Sequence, residues 1–363
     1  MITRELIESL YDAASIKRWN DHVRPVEFAE LDKQAHKMVI AWLLAKLEIQ
    51  HAGAKEIDWI RLIEGAIFEF LQRIVLTDIK PHVCHQMMQE KGEELNRWVI
   101  DKLTPCVEPL GGGFLERFQD YLQNPDRGAL ERRILRAAHY LSTQWEFNII
   151  YGFCKDMHGI ERTREEIKNQ LEDHYDLIGV QKIALRQKAY DFLNVCGQLR
   201  FQRRWSLSPR IPETSVLGHM FTVAVQAYFV TLHFDACPAR KRNTFFGGLF
   251  HDLPEVLTRD IASPIKGAVG GLDDIIKEYE RMQMEEKVLP LLPEGWRDEL
   301  RYYTEHEFSN KVMVDGKMLQ DIPFEAMNSE YNSAEFMPMD GKVIRACDHL
   351  SAFVEVCLSI QHG

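Results

Sequence analysis

Residues 244–261 read TFFGGLFHDLPEVLTRDI, and the organisation of the whole chain follows from how this stretch is read. An apolar run, TFFGGLF, stops at a group of ionisable side chains, His251, Asp252, Glu255 and Asp260. Unpaired charge at the edge of a core is costly, so either water or a cation lies among them. Neighbouring residues on a helix point about 100° apart, so His251 and Asp252 converge on one ion most easily where a helix ends. Pro254 agrees, because proline is favoured in a helix's first turn and excluded from its interior. The spacing predicts one helix stopping at the His-Asp pair and another beginning around 254, with Glu255 in its first turn.

The stretch has a counterpart. GAIFEFLQRIVLTDI (65–79) lies without a gap on GGLFHDLPEVLTRDI (247–261), which sets Asp78 on Asp260, Glu69-Phe70 on His251-Asp252 and Arg73 on Glu255. Two further blocks repeat in the same order. RAAHYLSTQWE (136–146) matches RACDHLSAFVE (345–355), with His139 at the place of Asp348. Arg18-Trp19 followed by His36 matches Arg204-Trp205 followed by His219. Self-similarity of this kind is the mark of a repeated unit. The reading is a tandem duplication, with domains at 1–155 and 156–363 and the charged helical stretch ERTREEIKNQLEDHYD (161–176) near their junction.

A chain of 363 residues is long for one core, which also favours two domains. Apolar residues recur at helical spacing in nearly every long segment, so the fold class expected is all-α. The exception is NKVMVDGKMLQDI (310–322), where Asp315-Gly316 predicts a tight hairpin turn. No apolar run approaches a membrane span and MITRELIESL has no apolar signal core, so the expected location is cytoplasmic. Seven scattered cysteines, none spaced CxxC, argue against a disulfide framework and a thiolate zinc site. A net charge of -11 disfavours a nucleic-acid polymer as partner but leaves small phosphate esters open.

In the second half, His219, His251, Asp252 and Asp348 come from three separate predicted helices. Imidazole and carboxylate together suit one borderline or hard divalent ion: Mn, Co, Fe, Zn or Mg. The order His219, His251-Asp252, Asp348 resembles the H…HD…D series of the HD-domain metal-dependent phosphohydrolases, an all-helical superfamily. RRW (203–205), HDLPEVLTRD (251–260) and SPIK (263–266) are similar to the bacterial 5'-deoxynucleotidase branch. The resemblance covers roughly 200–360. It implies metal ligands at His219, His251, Asp252 and Asp348, a phosphate contact at Arg204, sugar packing at Trp205, and added positive potential from Lys266. Glu255 and Asp260 would handle the water and the leaving oxygen.

The chain departs from the branch at Gly218, where Glu is usual, at Arg259, where Gly is usual, and in a longer segment between His306 and Asp348.

The activity implied is hydrolysis of nucleoside 5'-monophosphates, deoxyribonucleotides first. The alternatives are another HD phosphohydrolase, acting on a nucleotide diester or pyrophosphate, and a nucleotide-sensing module without turnover. Simple members of the superfamily are dimers, so the expected assembly is a monomer with pseudo-dimeric halves or a homodimer. In the first half Phe70 cannot ligate and Arg73 repels a cation, so that copy is expected to be degenerate. His36, Glu69 and His139 would be the ligands of a weak alternative site. His82, Cys84 and His85 lack a second cluster and read as structural, and the glycine runs 111–113 and 267–271 read as turns.

Overall fold

The computed structural model describes residues 1–51, 53, 57–125, 128–205, 208–261 and 269–362. It is a helical protein whose chain divides into two compact units. The first is Met1–Ile178 with Leu232–Phe234, and the second is Gly179–Thr231 with Asp235–Gly363.

The first unit contains α1 (Arg4–Ser15), α2 (Glu30–His51), α3 (Trp59–Leu76), α4 (Pro81–Val107), α5 (Phe114–Gln123), α6 (Ala129–Tyr151) and α7 (Ile160–Glu172). Asp58 caps α3 by accepting from the Arg61 N–H, satisfying one of the open donors at a helix start. Helix α2 is the axis of the unit. Every residue from Glu30 to Ala45 is buried, and α2 packs principally on α6. A two-stranded ribbon, β1 (Lys17–Arg18) against β2 (Phe28–Ala29), feeds the chain into α2. Gly111, Gly112 and Gly113 lie at φ of 68, 58 and 69° and make the turn into α5.

The second unit runs from the boundary helix α8 (Ile178–Ala184) through α9 (Lys188–Gln198) to α10 (Val216–Thr231), α11 (Pro238–Phe250) and α12 (Glu255–Thr258). After these come α13 (Leu272–Gln283), α14 (Glu294–Thr304), α15 (Phe324–Ser329) and α16 (Gly341–His362). Its axis is α10, buried at every residue from Val216 to Phe229 and packed between α11 and α16. A helix apolar on all sides belongs inside a core. The two glycines of the TFFGGLF run allow the close approach. A Cβ on Gly248 would stand 2.8 Å from Ala224 Cα on α10, and one on Gly247 would stand 2.6 Å from Met339 Sδ.

The hairpin read at 310–322 is present. Strand β3 (Asn310–Val314) pairs antiparallel with β4 (Lys317–Leu319), and the turn residues Asp315 and Gly316 sit at φ of 50 and 74°. Both central residues at positive φ is the geometry a two-residue hairpin prefers. Strand β3 also pairs with β5 (Met339–Asp340), which runs directly into α16. The Asp340 carboxylate, fully buried, takes two bonds from the Arg240 guanidinium of α11 at 2.6 and 2.7 Å. The segment that lengthens this chain before Asp348 therefore anchors the start of α16 against α11. No helix among the described residues is long and apolar enough to cross a membrane.

Candidate metal centre

Helices α10, α11 and α16 each bring one part of the site. His219 lies in the first turn of α10, where Ser215 accepts from the Gly218 N–H at 2.9 Å. Helix α11 ends at Phe250, and residues 251–254 form a turn before Glu255 opens α12, with Pro254 at its N-cap position. Asp348 stands on α16, two turns after the Gly341 start.

Ligand-type atoms of His219, His251 and Asp252 lie within 4.8 Å of one another, the one such group of three or more found among the described residues. His219 Nε2 is 3.0 Å from Asp348 Oδ1 and 3.7 Å from Asp252 Oδ2, and His251 Nε2 is 3.2 Å from Asp252 Oδ2. Despite these approaches, neither imidazole Nε2 has a partner in hydrogen-bond geometry, although both rings are buried. A buried polar atom without a partner needs a reason. His251 Nδ1 lies 2.8 Å from the Gly248 carbonyl, so as a donor it places the proton on Nδ1 and leaves the Nε2 lone pair facing the cluster. A second partner that fixes the tautomer in this way is the usual support of a metal-binding histidine. Two inward Nε2 atoms and the Asp252 carboxylate make a donor group that fits a divalent cation, and Asp348 stands beside it through its 3.0 Å approach to His219.

The local field is steep. Burial alone would lower the basicity of His251, but the Asp252 carboxylate overrides it and raises its pKa to about 9, so a cation taking the Nε2 lone pair displaces a proton from it. Burial likewise works against the Asp252 charge, yet His251, His219 and Arg204 hold its pKa well below the ordinary carboxylate range. His219 is pushed the other way, down, by burial and by Arg204.

Arg204 lies beside this group. One guanidinium nitrogen is 4.0 Å from Asp252 and 3.9 Å from Asp348, and Nε is 3.6 Å from Glu355. Burial opposes its charge, but Glu355, Asp252, Asp348 and Asp260 together raise its pKa. Trp205 adopts φ 59° and donates its indole N–H to Glu355, while the Arg210 guanidinium stacks 4.3 Å from its ring centre. Glu255 is buried at the start of α12, its N–H donating to the Asp252 carbonyl at 3.0 Å. Asp260 is half-buried and follows Arg259, which adopts φ 66°, a conformation that suits glycine better than arginine. Lys266 lies outside the described residues.

Glu355 was not singled out from the sequence. It is fully buried, accepting from Trp205 Nε1 and, at 2.8 Å, from Thr214 Oγ1, as well as facing Arg204. Its signal was its place seven residues after Asp348, at the end of a repeated block whose other copy also ends in Glu.

In the first unit, the residue that meets His139 is Lys33, not His36. Lys33 Nζ is 3.0 Å from each His139 ring nitrogen, whereas His36 packs edge-on against Trp145 with ring centres 5.0 Å apart. Lys33 stands fourteen residues after Trp19, the spacing that separates Trp205 from His219, so counting from tryptophan would have found it. His36, Glu69 and His139 do not converge as a ligand group. Glu69 is engaged by Lys37 and, at 2.6 Å, by the Tyr121 hydroxyl. His85 is paired with Gln89 at 2.9 Å within α4.

Comparison with known proteins agrees on the second unit. Residues 196–363 match the family model described as HD domain. The chain is similar to a 5'-deoxynucleotidase of Vibrio atlanticus, 27% identical over 130 residues that make up 34% of this chain and 65% of that protein. A 5'-deoxynucleotidase of Vibrio cholerae is 28% identical over 128 residues, 32% of this chain and 60% of that protein. The chain thus spans less than two thirds of the length of these relatives. No solved structure matches it.

Proposed function

We propose that the second unit forms a metal-dependent phosphomonoesterase that hydrolyses nucleoside 5'-monophosphates, deoxyribonucleotides in particular. The observation that carries the reading is the pair of buried Nε2 atoms, from His219 and His251, turned on the same space as Asp252 without hydrogen-bond partners. His219, His251, Asp252 and Asp348 would hold one divalent ion. Such an ion, when bound, supplies Lewis acidity towards water and a phosphoryl oxygen.

The other roles fall to the chain's own side chains. Arg204 presents a guanidinium, pre-oriented by Glu355, to the substrate phosphate, where a planar fork matches two oxygens at once. Trp205, held by Glu355 on one edge and by Arg210 on a face, offers its remaining surface to the sugar. Glu255, beside the His-Asp turn, takes a proton from the attacking water, and Asp260 orients the reacting groups from within reach of Arg204. Lys266 adds positive potential.

The first unit is, in this reading, a degenerate copy of the second. Five internal matches support it. Trp19 and Trp205 share φ values of 56 and 59°. Both indoles donate to a glutamate, Glu146 or Glu355, in the corresponding helix. The first residue of each axial helix donates at 2.9 Å to the chain two residues before the arginine, Glu30 to Ile16 and Val216 to Gln202. Thr77 and Arg259, each directly before the shared aspartate, take φ of 57 and 66°. Lys33 meets His139 at 3.0 Å as His219 meets Asp348 at 3.0 Å. A monomer with pseudo-dimeric halves, in the cytoplasm, completes the reading, with a homodimer as the other assembly.

The test is phosphate release from deoxy- and ribonucleoside 5'-monophosphates with Mn, Co, Mg and Zn, run beside His251→Ala and Glu255→Ala. Release abolished in both variants is the expected result. Binding without turnover under every metal would make the unit a sensor, and turnover confined to diesters or pyrophosphates would reassign the substrate.

A further inference from the structure

The first unit contains an ionic cluster that the proposed hydrolysis does not use. Arg18 bonds Glu30 and Glu146, each at 2.9 Å, Arg73 Nε stands 3.6 Å from Glu30, and Lys37 bonds Glu69. Each of these three carboxylates is therefore already engaged. Lys33 makes a fourth cation, 1% exposed, and no carboxylate lies within ion-pair distance of it among the described residues. Its recorded neighbour is His139, a neutral imidazole with one lone pair, so at least two of the three ammonium N–H donors are uncommitted.

The cluster thus sets four buried or half-buried basic groups against three carboxylates. The imbalance is visible in the groups themselves. Burial, then Arg18, push Lys33 well below the usual lysine range, although Glu30 and Glu146 act in the opposite sense, so the amine holds its proton weakly until a further anion stands against it. Burial and Lys33 do the same to His139. Glu30 is drawn down to about 2, since Arg18, Lys33 and Arg73 outweigh its burial. Leaving charge buried and uncompensated is expensive, and a cluster built this way gains most from one more anion.

We propose that this cluster is a metal-independent binding site for an anionic phosphoryl group, either free phosphate or the phosphate of a nucleotide, held by Arg18, Lys33, Lys37 and Arg73. Two guanidinium groups and two ammonium groups supply the charge-assisted donors that tetrahedral phosphoryl oxygens accept. The cluster is open to solvent at Arg18, Arg73 and Glu69, whose side chains are 12, 21 and 27% exposed. Trp19, its indole tied to Glu146 at 2.8 Å, lies next to Arg18 and provides an apolar surface for any group esterified to the phosphate. Where the second unit has ligands for a cation, the first carries the cation in its own side chains.

The site's existence does not depend on hydrolysis by the second unit. The test is equilibrium dialysis of the full chain in EDTA, with inorganic phosphate and with deoxyadenosine 5'-monophosphate as separate probes. Both the unaltered chain and a His251→Ala, Asp252→Ala double variant should take up close to one equivalent of at least one probe. Which probe binds identifies the source of the phosphoryl group. Arg73→Gln and Lys33→Met should each weaken uptake at least tenfold, while Arg162→Ala, at an exposed arginine of α7, leaves it unchanged. If Lys33→Met melts at a much lower temperature, the half-exposed Arg73 carries the comparison alone. No saturable uptake in EDTA, or uptake kept in Arg73→Gln, overturns the proposal.

Discussion

Replacing Glu355 by glutamine should separate substrate binding from ion binding. The buried carboxylate accepts from Trp205 and Thr214 and faces Arg204 Nε at 3.6 Å. Glutamine keeps the shape and one acceptor oxygen, so the Trp205 bond can persist. What is lost is the charge opposite Arg204 and the acceptor for Thr214, whose hydroxyl must turn round. A hydrogen bond to a charged group contributes about 1.5–3 kcal/mol. The lower half of that range is appropriate, because Asp252 and Asp348, at 4.0 and 3.9 Å, still attract the guanidinium. At about 1.4 kcal/mol per tenfold change, kcat/KM should fall roughly 10- to 40-fold. With Arg204 holding the phosphate as proposed and Glu355 orienting it, the loss should appear chiefly in KM. Steady-state kinetics on a deoxyribonucleoside 5'-monophosphate, with metal content measured on the same preparation, is the assay. A kcat/KM within twofold of the parent, or an ion lost in proportion to activity, would refute the reasoning.

Three other perturbations have defined outcomes. Glu30 has its pKa lowered to about 2, mainly through Arg18 against the effect of burial, so its contribution is present above an unfolded-state value near 4.5 and is lost as pH falls through about 2; Glu30→Gln should cost about 3 kcal/mol at pH 7 in urea unfolding and almost nothing near pH 2, and an equal loss at both would contradict the ion-pair account. Arg259→Gly relieves a side chain at φ 66° and ψ 161°, a region that suits glycine, and should stabilise the second unit by about 1 kcal/mol by thermal melting; a lower melting temperature would mean the Arg259 side chain makes contacts that outweigh the strain. Gly248→Ala forces a Cβ to within 2.8 Å of the Ala224 backbone and should cost about 1–3 kcal/mol while disturbing ion uptake, because α10 and α11 carry His219 and His251; unchanged uptake would show that the helices can separate without moving the imidazoles.

Much of this arrangement was legible in the sequence because its signals are local. Helical periodicity gave the fold class, Pro254 marked the break after His251-Asp252, and Asp315-Gly316 fixed the hairpin. The inner partners were harder to see. Glu355 reads as an ordinary helical glutamate until Trp205 and Thr214, separated from it by more than 140 residues, fold against it. In the first half His36, an imidazole, looks like a ligand in sequence, whereas Lys33 does not, although its fourteen-residue distance from Trp19 is the spacing that separates Trp205 from His219. The Arg240–Asp340 pair was equally silent, since neither residue differs in sequence from a solvated charge.

The measurement closest to the central claim is the metal content of the purified chain after reconstitution with Mn or Co, read by plasma mass spectrometry beside His251→Ala, Asp348→Ala and His36→Ala. The account predicts about one ion per chain, lost in the first two variants and retained in the third. Two ions per chain, or one that survives both His251→Ala and Asp348→Ala, would contradict it.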